Sequence, residues 1–180
     1  MILIIQIHNI PFHYYEFIKP IEGTIKNTGM SFTSIHYKNL TKEYLNTTDK
    51  IIISGTSLKD NTFLKDIERF TWIKTYEKPL LGICGGMQLI ATAFQEEILN
   101  GQEIGLQTIT YNKEFLGEMG EKEVYGLHNN FVNAKIFEII ARSGKYPQAI
   151  KHPQRPIYGV LFHPEVRNKN MIEYFIKNTF

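Results

Sequence analysis

The sequence predicts an α/β fold: a doubly wound, mostly parallel central sheet flanked by helices, with a smaller antiparallel β portion in the C-terminal half. Three observations carry this reading. Short β-rich runs alternate with amphipathic stretches through the first half of the chain, the order that builds a parallel sheet with crossover helices. Two of the runs, "IIIS" and "LLGI", are almost wholly apolar, which suits strands covered on both faces. Beyond about residue 100 the pattern becomes a succession of strand-like runs broken by Gly and Pro.

Taken in order, residues 2–7 (ILIIQI), 31–37 (SFTSIHY), 50–54 (KIIIS) and 79–84 (PLLGIC) read as strands. Helical patterns lie between them, around 14–28, 41–47 and 60–77. In the last of these, Ile67, Phe70, Ile73 and Lys74 recur at helical spacing, opposite Asp66, Glu68 and Arg69. "EIGLQTITY", "EVYGLHNNFV", "YPQAIKH" and "PIYGVLFH" read as later strands, and "NMIEYFIKNTF" as a closing helix. With 180 residues, no internal repeat and no linker, residues 1–180 are expected to form one domain.

Composition narrows the class. With 43% hydrophobic residues the chain can bury a full core without disulfides or a metal. Twenty Lys and Arg against 18 Asp and Glu leave a net charge of +2, spread along the chain, so charge gives no sign of a nucleic-acid partner. The amino end "MILIIQIHNIPFHYY" has no positive leader or cleavage site, and its apolar run is strand-sized, which argues against secretion or a membrane span. One cysteine excludes an internal disulfide framework and fits a reducing, cytoplasmic setting.

That cysteine, Cys84, stands where a strand gives way to a helix, before Gly85 and Gly86, which permit a tight turn with unusual dihedrals. A free cysteine is ordinarily a small buried hydrophobe. Strand, sharp turn and helix is also the arrangement of a nucleophile elbow. There the helix amino end favours thiolate, and its free N–H groups can hold an oxyanion. A base is then required. Of six histidines, two precede proline: His152 in "KHPQR" and His163 in "LFHPEV". Only His163 has a carboxylate, Glu165, two residues on, able to orient an imidazole and stabilise its protonated form. A strand would deliver His163 to a sheet edge, whereas His152 reads as a loop residue. A core histidine bonded to a backbone group remains the alternative for His163.

Together these segments resemble the class I (triad) glutamine amidotransferases, over essentially the whole chain to about residue 166. "GICGGMQL" is similar to that family's nucleophile motif and "YGVLFHPE" to its histidine–glutamate motif. The resemblance implies Cys84 as nucleophile, His163 as base and Glu165 as its orienting partner. It further implies a substrate site of Gly55, Thr56, Gly85, Gln88, His128, Asn129 and Asn130. Gly55 and Thr56 come from "IIISGTS", at the place of the oxyanion strand, and the last three from "GLHNNFV", at the place of a loop that holds the amino-acid end of glutamine. "GQEIGLQTI" and "AIKHPQRPIYGV" are most similar to the amidotransferase subunits of GMP synthase and of anthranilate or aminodeoxychorismate synthase. The implied activity is hydrolysis of L-glutamine without cofactor or metal, the ammonia passing to a separate ATP-dependent synthetase, since the amidotransferase-like unit takes up all 180 residues. Stand-alone hydrolysis of γ-glutamyl amides, and a catalytically weak protein with a regulatory or binding role, are the competing expectations. Two departures stand out. Thr56 occupies the place of the family's second glycine, where a β-branched residue resists positive φ. Gly85 replaces a larger residue and is expected to loosen the elbow.

Overall fold

The computed structural model describes residues 1–180. Its nine strands form one mixed sheet in the order β2-β1-β3-β4-β9-β8-β7-β5-β6. β1 (Ile2–Gln6), β2 (Phe32–His36), β3 (Lys50–Ile53), β4 (Leu80–Ile83) and β9 (Ile157–Val160) are mutually parallel. β5 (Glu97–Phe115), β6 (Glu118–Asn133), β7 (Glu138–Ser143) and β8 (Tyr146–Lys151) continue the sheet antiparallel from β9.

Both faces of β1, β3, β4 and β9 are buried, which is why these strands are largely apolar without alternation, whereas the edge strand β2 (FTSIH) is half-buried throughout. Ile2 and Ile4 of β1 and Ile52 of β3 enter one core; Leu3, Ile5, Ile51 and Ile53 enter the other. The first core is covered by α1 (Lys19–Asn27) and α4 (Lys169–Lys177), through Ile21, Ile25, Ile172 and Phe175. The second is covered by α3 (Gly85–Ala93) and by the helical run Thr62–Thr75. The short α2 (Lys42–Thr47) lies at the rim and buries no residue fully.

The structure departs from the expected pattern in two helices, for local reasons, and in the antiparallel strands. The helix expected over 14–28 is a π-turn, Tyr14–Ile18, that leads into α1. Pro20 has no N–H and crowds the carbonyl four residues back, so an unbroken α ladder cannot run through it. The helix expected over 60–77 is a 3₁₀ run over Thr62–Thr75, broken at Asp66 (φ −100°, ψ 25°). Ile67, Phe70 and Ile73 recur at intervals of three, the period at which 3₁₀ side chains eclipse. Finally, the strands expected at 103–111 and 123–132 are the middle of a longer hairpin, β5–β6, and β7 was not expected. No helix is long and apolar enough to cross a membrane.

Candidate active site

The order β2-β1-β3-β4 places the chain reversal between β1 and β3, and α/β sheets bind ligands outside the carboxyl ends of the strands near such a point. The loops after β1, β3, β4 and β9 gather there. Cys84 follows β4 directly, its N–H donating to the Val160 carbonyl at 2.7 Å, and is the residue before the first turn of α3. Its backbone is strained, with φ 48° and ψ −105°. The unusual dihedral thus falls on the cysteine, not on Gly85 or Gly86 as the sequence suggested. Such strain in a non-glycine residue persists only where the surroundings enforce it. Here the enforcement is close approach: a Cβ on Gly86 would lie 2.4 Å from the Ile53 carbonyl oxygen, and one on Gly82 would lie 2.6 Å from Gly86. Glycine at both positions lets α3 start against β3 and β4, forcing the chain to turn at Cys84. Nor is the elbow loose at Gly85. The space a side chain would fill is taken by Phe63 and Ile7, 3.0 and 2.9 Å from the position of its Cβ.

His163 lies three residues beyond β9, at the carboxyl end of an interior strand. Its N–H donates to the Tyr125 carbonyl at 2.9 Å, and its Nδ1 meets Glu165 Oε1 at 2.7 Å, with both side chains buried. Burial opposes charge on the ring, but the Glu165 carboxylate and then Cys84 outweigh it and hold the His163 pKa well above the usual imidazole value. The ring is flanked by Phe17, at 5.3 Å between centroids, and by Gly55, where a Cβ would lie 2.7 Å from Cε1 and 3.4 Å from Cys84 Cβ. Gly55 therefore sits against the ring and the cysteine together. His163 Nε2 has no hydrogen-bond partner, and the Cys84 thiol donates to the Leu127 carbonyl at 3.5 Å. Catalytic hydrogen bonds are often long before substrate binds.

The Glutamine amidotransferase class-I family matches this chain over residues 13–180. The chain belongs to that family. A GMP synthase (glutamine-hydrolyzing) subunit of Pyrococcus furiosus is 36% identical over 126 residues, 64% of this chain and 65% of that one, just under two thirds of the relative's length. The corresponding GMP synthase subunit of Pyrococcus abyssi is 33% identical over 138 residues, 71% and 72% of the two chains. The matched stretch spans only 57% of the Methanocaldococcus jannaschii relative. Among solved structures, a candidate GMP synthase subunit of Thermoplasma acidophilum superposes with a TM-score of 0.85 at 22% identity, covering 97% of this chain and 91% of that one. A glutamine amidotransferase of Thermotoga maritima gives 0.74 at 20%, covering 98% and 81%. These structural likenesses are of fold: a parallel sheet core with antiparallel strands in the C-terminal half, flanked by helices.

The remaining candidate residues of this chain divide. Gly55, Thr56, Gly85, Gln88 and Asn129 lie around Cys84, and Thr56 and Gly85 help to line the small cavity beside it. Gln88 Nε2 donates to the Asn130 carbonyl at 3.3 Å, so Asn130 meets the site through its backbone. The His128 ring is already engaged: Nδ1 meets the Gly101 carbonyl at 3.1 Å and Nε2 meets Glu103 Oε2 at 3.0 Å. His128 therefore borders the cavity with its ring tied to β5. His152, read as a loop residue, does follow β8, but it is buried, and its Nδ1 accepts from the N–H groups of Gln154 and Arg155. Phe17, Phe63 and Glu103 escaped the sequence reading, since none carries a local signal beyond an apolar or charged position. The cavity measures about 10 Å³, room for one water at most.

Proposed function

We propose that this chain hydrolyses L-glutamine through a Cys84–His163–Glu165 triad, supplying ammonia to a separate ATP-dependent synthetase. The observation that carries the reading is the buried His163–Glu165 bond beside a strained cysteine at a strand-to-helix turn. The Cys84 thiolate adds to the side-chain amide carbon of glutamine. The oxyanion that forms is held by backbone N–H groups near Gly85 and Gly55, since the first N–H groups of α3 have no partner within the helix. Protonated His163, its charge balanced by Glu165, gives its proton to the departing ammonia as the C–N bond breaks. The resulting thioester is attacked by water that His163 deprotonates, and glutamate leaves as the sulfur is released.

The relatives named for GMP synthesis favour the synthetase component of GMP synthase as the partner, with residues 1–180 acting as one unit in the cytoplasm. Stand-alone hydrolysis of longer γ-glutamyl amides is less favoured, because the relatives at 36% and 33% identity are named as subunits of a glutamine-hydrolyzing synthase. A weak or regulatory role finds support only in Thr56, which keeps negative φ at the oxyanion strand. The test is glutamate release from glutamine by wild type and Cys84→Ala, with and without the synthetase component of a related GMP synthase. Release that depends on Cys84 supports the reading; release that survives its loss ends it.

A further inference from the structure

The loop after β3, which lines the cavity beside Cys84, carries a buried carboxylate, Asp60. One oxygen of Asp60, Oδ2, accepts from the Asn9 N–H at 2.6 Å, from the Thr56 hydroxyl at 3.1 Å, and meets His13 Nδ1 at 3.3 Å. The Asp60 side chain is 2% exposed, so it is desolvated and depends on these partners. A turn closed by Asp60 N–H donating to the Ser57 carbonyl, at 3.1 Å, gives the loop its shape. On its other flank the loop is tied to the β5–β6 hairpin, where Asn129 Nδ2 donates to the Leu58 carbonyl at 2.9 Å. Thr56, Ser57, Leu58 and Asn61 of this segment line the 10 Å³ cavity beside Cys84, and Cys84 itself is 4% exposed. Glutamine does not fit that space.

We infer that Asp60 is a positioning residue that latches the 55–61 loop closed over Cys84 through the Thr56 hydroxyl, and that the latch must release before substrate reaches the thiol. A glycine at position 56 could not make this bond, so the hydroxyl gives a function to the departure seen there. The inference deepens the glutaminase reading and rests on it only for the identity of the substrate. Closure sets a fraction of molecules competent to bind, and apparent affinity falls by that fraction.

Cys84 is the only thiol in the chain, so its alkylation reads the loop directly. The full chain is treated with iodoacetamide, and the rate of single-site modification is followed by mass spectrometry for wild type, Thr56→Val, Thr56→Ser and Asp60→Asn. While the loop recloses faster than the reagent reacts, the rate follows the open population. Loss of one hydrogen bond to a carboxylate implies an increase on the order of ten- to a hundredfold. Thr56→Val, close in shape but without the hydroxyl, should show it; Asp60→Asn should show as much or more. Thr56→Ser keeps the hydroxyl and should stay within about twofold of wild type. In the glutaminase assay Thr56→Val should lower KM for glutamine more than it changes kcat. Equal alkylation in Thr56→Val and wild type would overturn the latch, as would Thr56→Ser reacting as fast as Thr56→Val. If Asp60→Asn fails to fold, the Thr56 pair alone decides. A wild type that releases no glutamate would count against the glutaminase reading, while the alkylation rates would still decide the latch.

Discussion

Replacing Gly55 by alanine tests whether the site depends on the seat of the His163 ring. The added Cβ would stand 2.7 Å from His163 Cε1, about 0.7 Å inside the 3.4 Å at which ordinary contact begins. The ring has nowhere to yield. Its Nδ1 is bonded to Glu165 at 2.7 Å, its backbone N–H is bonded to Tyr125, and Phe17 packs against it. The methyl group must therefore displace the ring, or the loop that carries Gly55, by most of an ångström. Misplacing a reacting group by about 1 Å typically lowers rate about 100-fold, which is about 2.7 kcal/mol of transition-state stabilisation. Overpacking a filled interior destabilises by about 1–3 kcal/mol, a fall of several degrees in Tm for a chain of this size. The assay pairs glutamate production at saturating glutamine with thermal melting. Gly23→Ala is the control, since nothing lies within 4 Å of the Cβ it would add on α1. That change should leave turnover alone and raise stability by up to about 1 kcal/mol. Gly55→Ala with wild-type turnover would show that the ring is not held against Gly55, and the geometry assigned to the triad would fail.

Cys84→Ala should abolish ammonia release while the fold persists, measured as glutamate production alongside circular dichroism; residual activity near wild type would exclude the thiolate mechanism. His163→Ala should be as damaging, and the Cys84/His163 double variant hardly worse than either single change, because the two act as one unit. His152→Ala should keep kcat but lower Tm, since it strips two backbone N–H groups of a buried acceptor, at a cost of about 1–3 kcal/mol. Thr56→Gly removes both the Cβ that resists positive φ and the hydroxyl bonded to Asp60, so basal glutamine turnover without a partner should rise; a fast wild type unchanged by glycine would dismiss any gating by this residue. Glu165→Gln tests pH dependence. The folded pKa of His163 is raised above its unfolded value of about 6.5, so the stability it contributes is fully present below that value and is lost as pH rises through the folded pKa. Without the Glu165 charge that alkaline loss should shrink in melts recorded across neutral and alkaline pH; an unaltered profile would mean the pair is not ionised.

Much of this protein was legible before folding because the signals are local. Strands buried on both faces are nearly apolar throughout, so "IIIS" and "LLGI" announce the parallel core. A cysteine before two glycines and ahead of an apolar helix marks a turn, and a carboxylate two residues after a histidine marks a bonded pair, since both pairings are set within a few residues of chain. Other features were settled only by the strand order. β9 inserts beside β4, and that single pairing brings His163 to Cys84 across most of the C-terminal half of the chain. It also puts Gly55 and Phe17 on either side of the imidazole, positions whose neighbours no periodicity can name. The strain on Cys84 arises from the Gly82–Gly86 and Gly86–Ile53 approaches, which exist only once α3 is seated on the sheet. His128 is turned to Glu103 by the β5–β6 register, which pairs those two residues across the hairpin. Asp60 gathers Asn9, His13 and Thr56 because the loops after β1 and β3 end side by side. Periodicity and spacing record what a residue's near neighbours in sequence require. Contacts between distant segments depend on which strands are adjacent, and that is decided by burying both faces of the sheet at once.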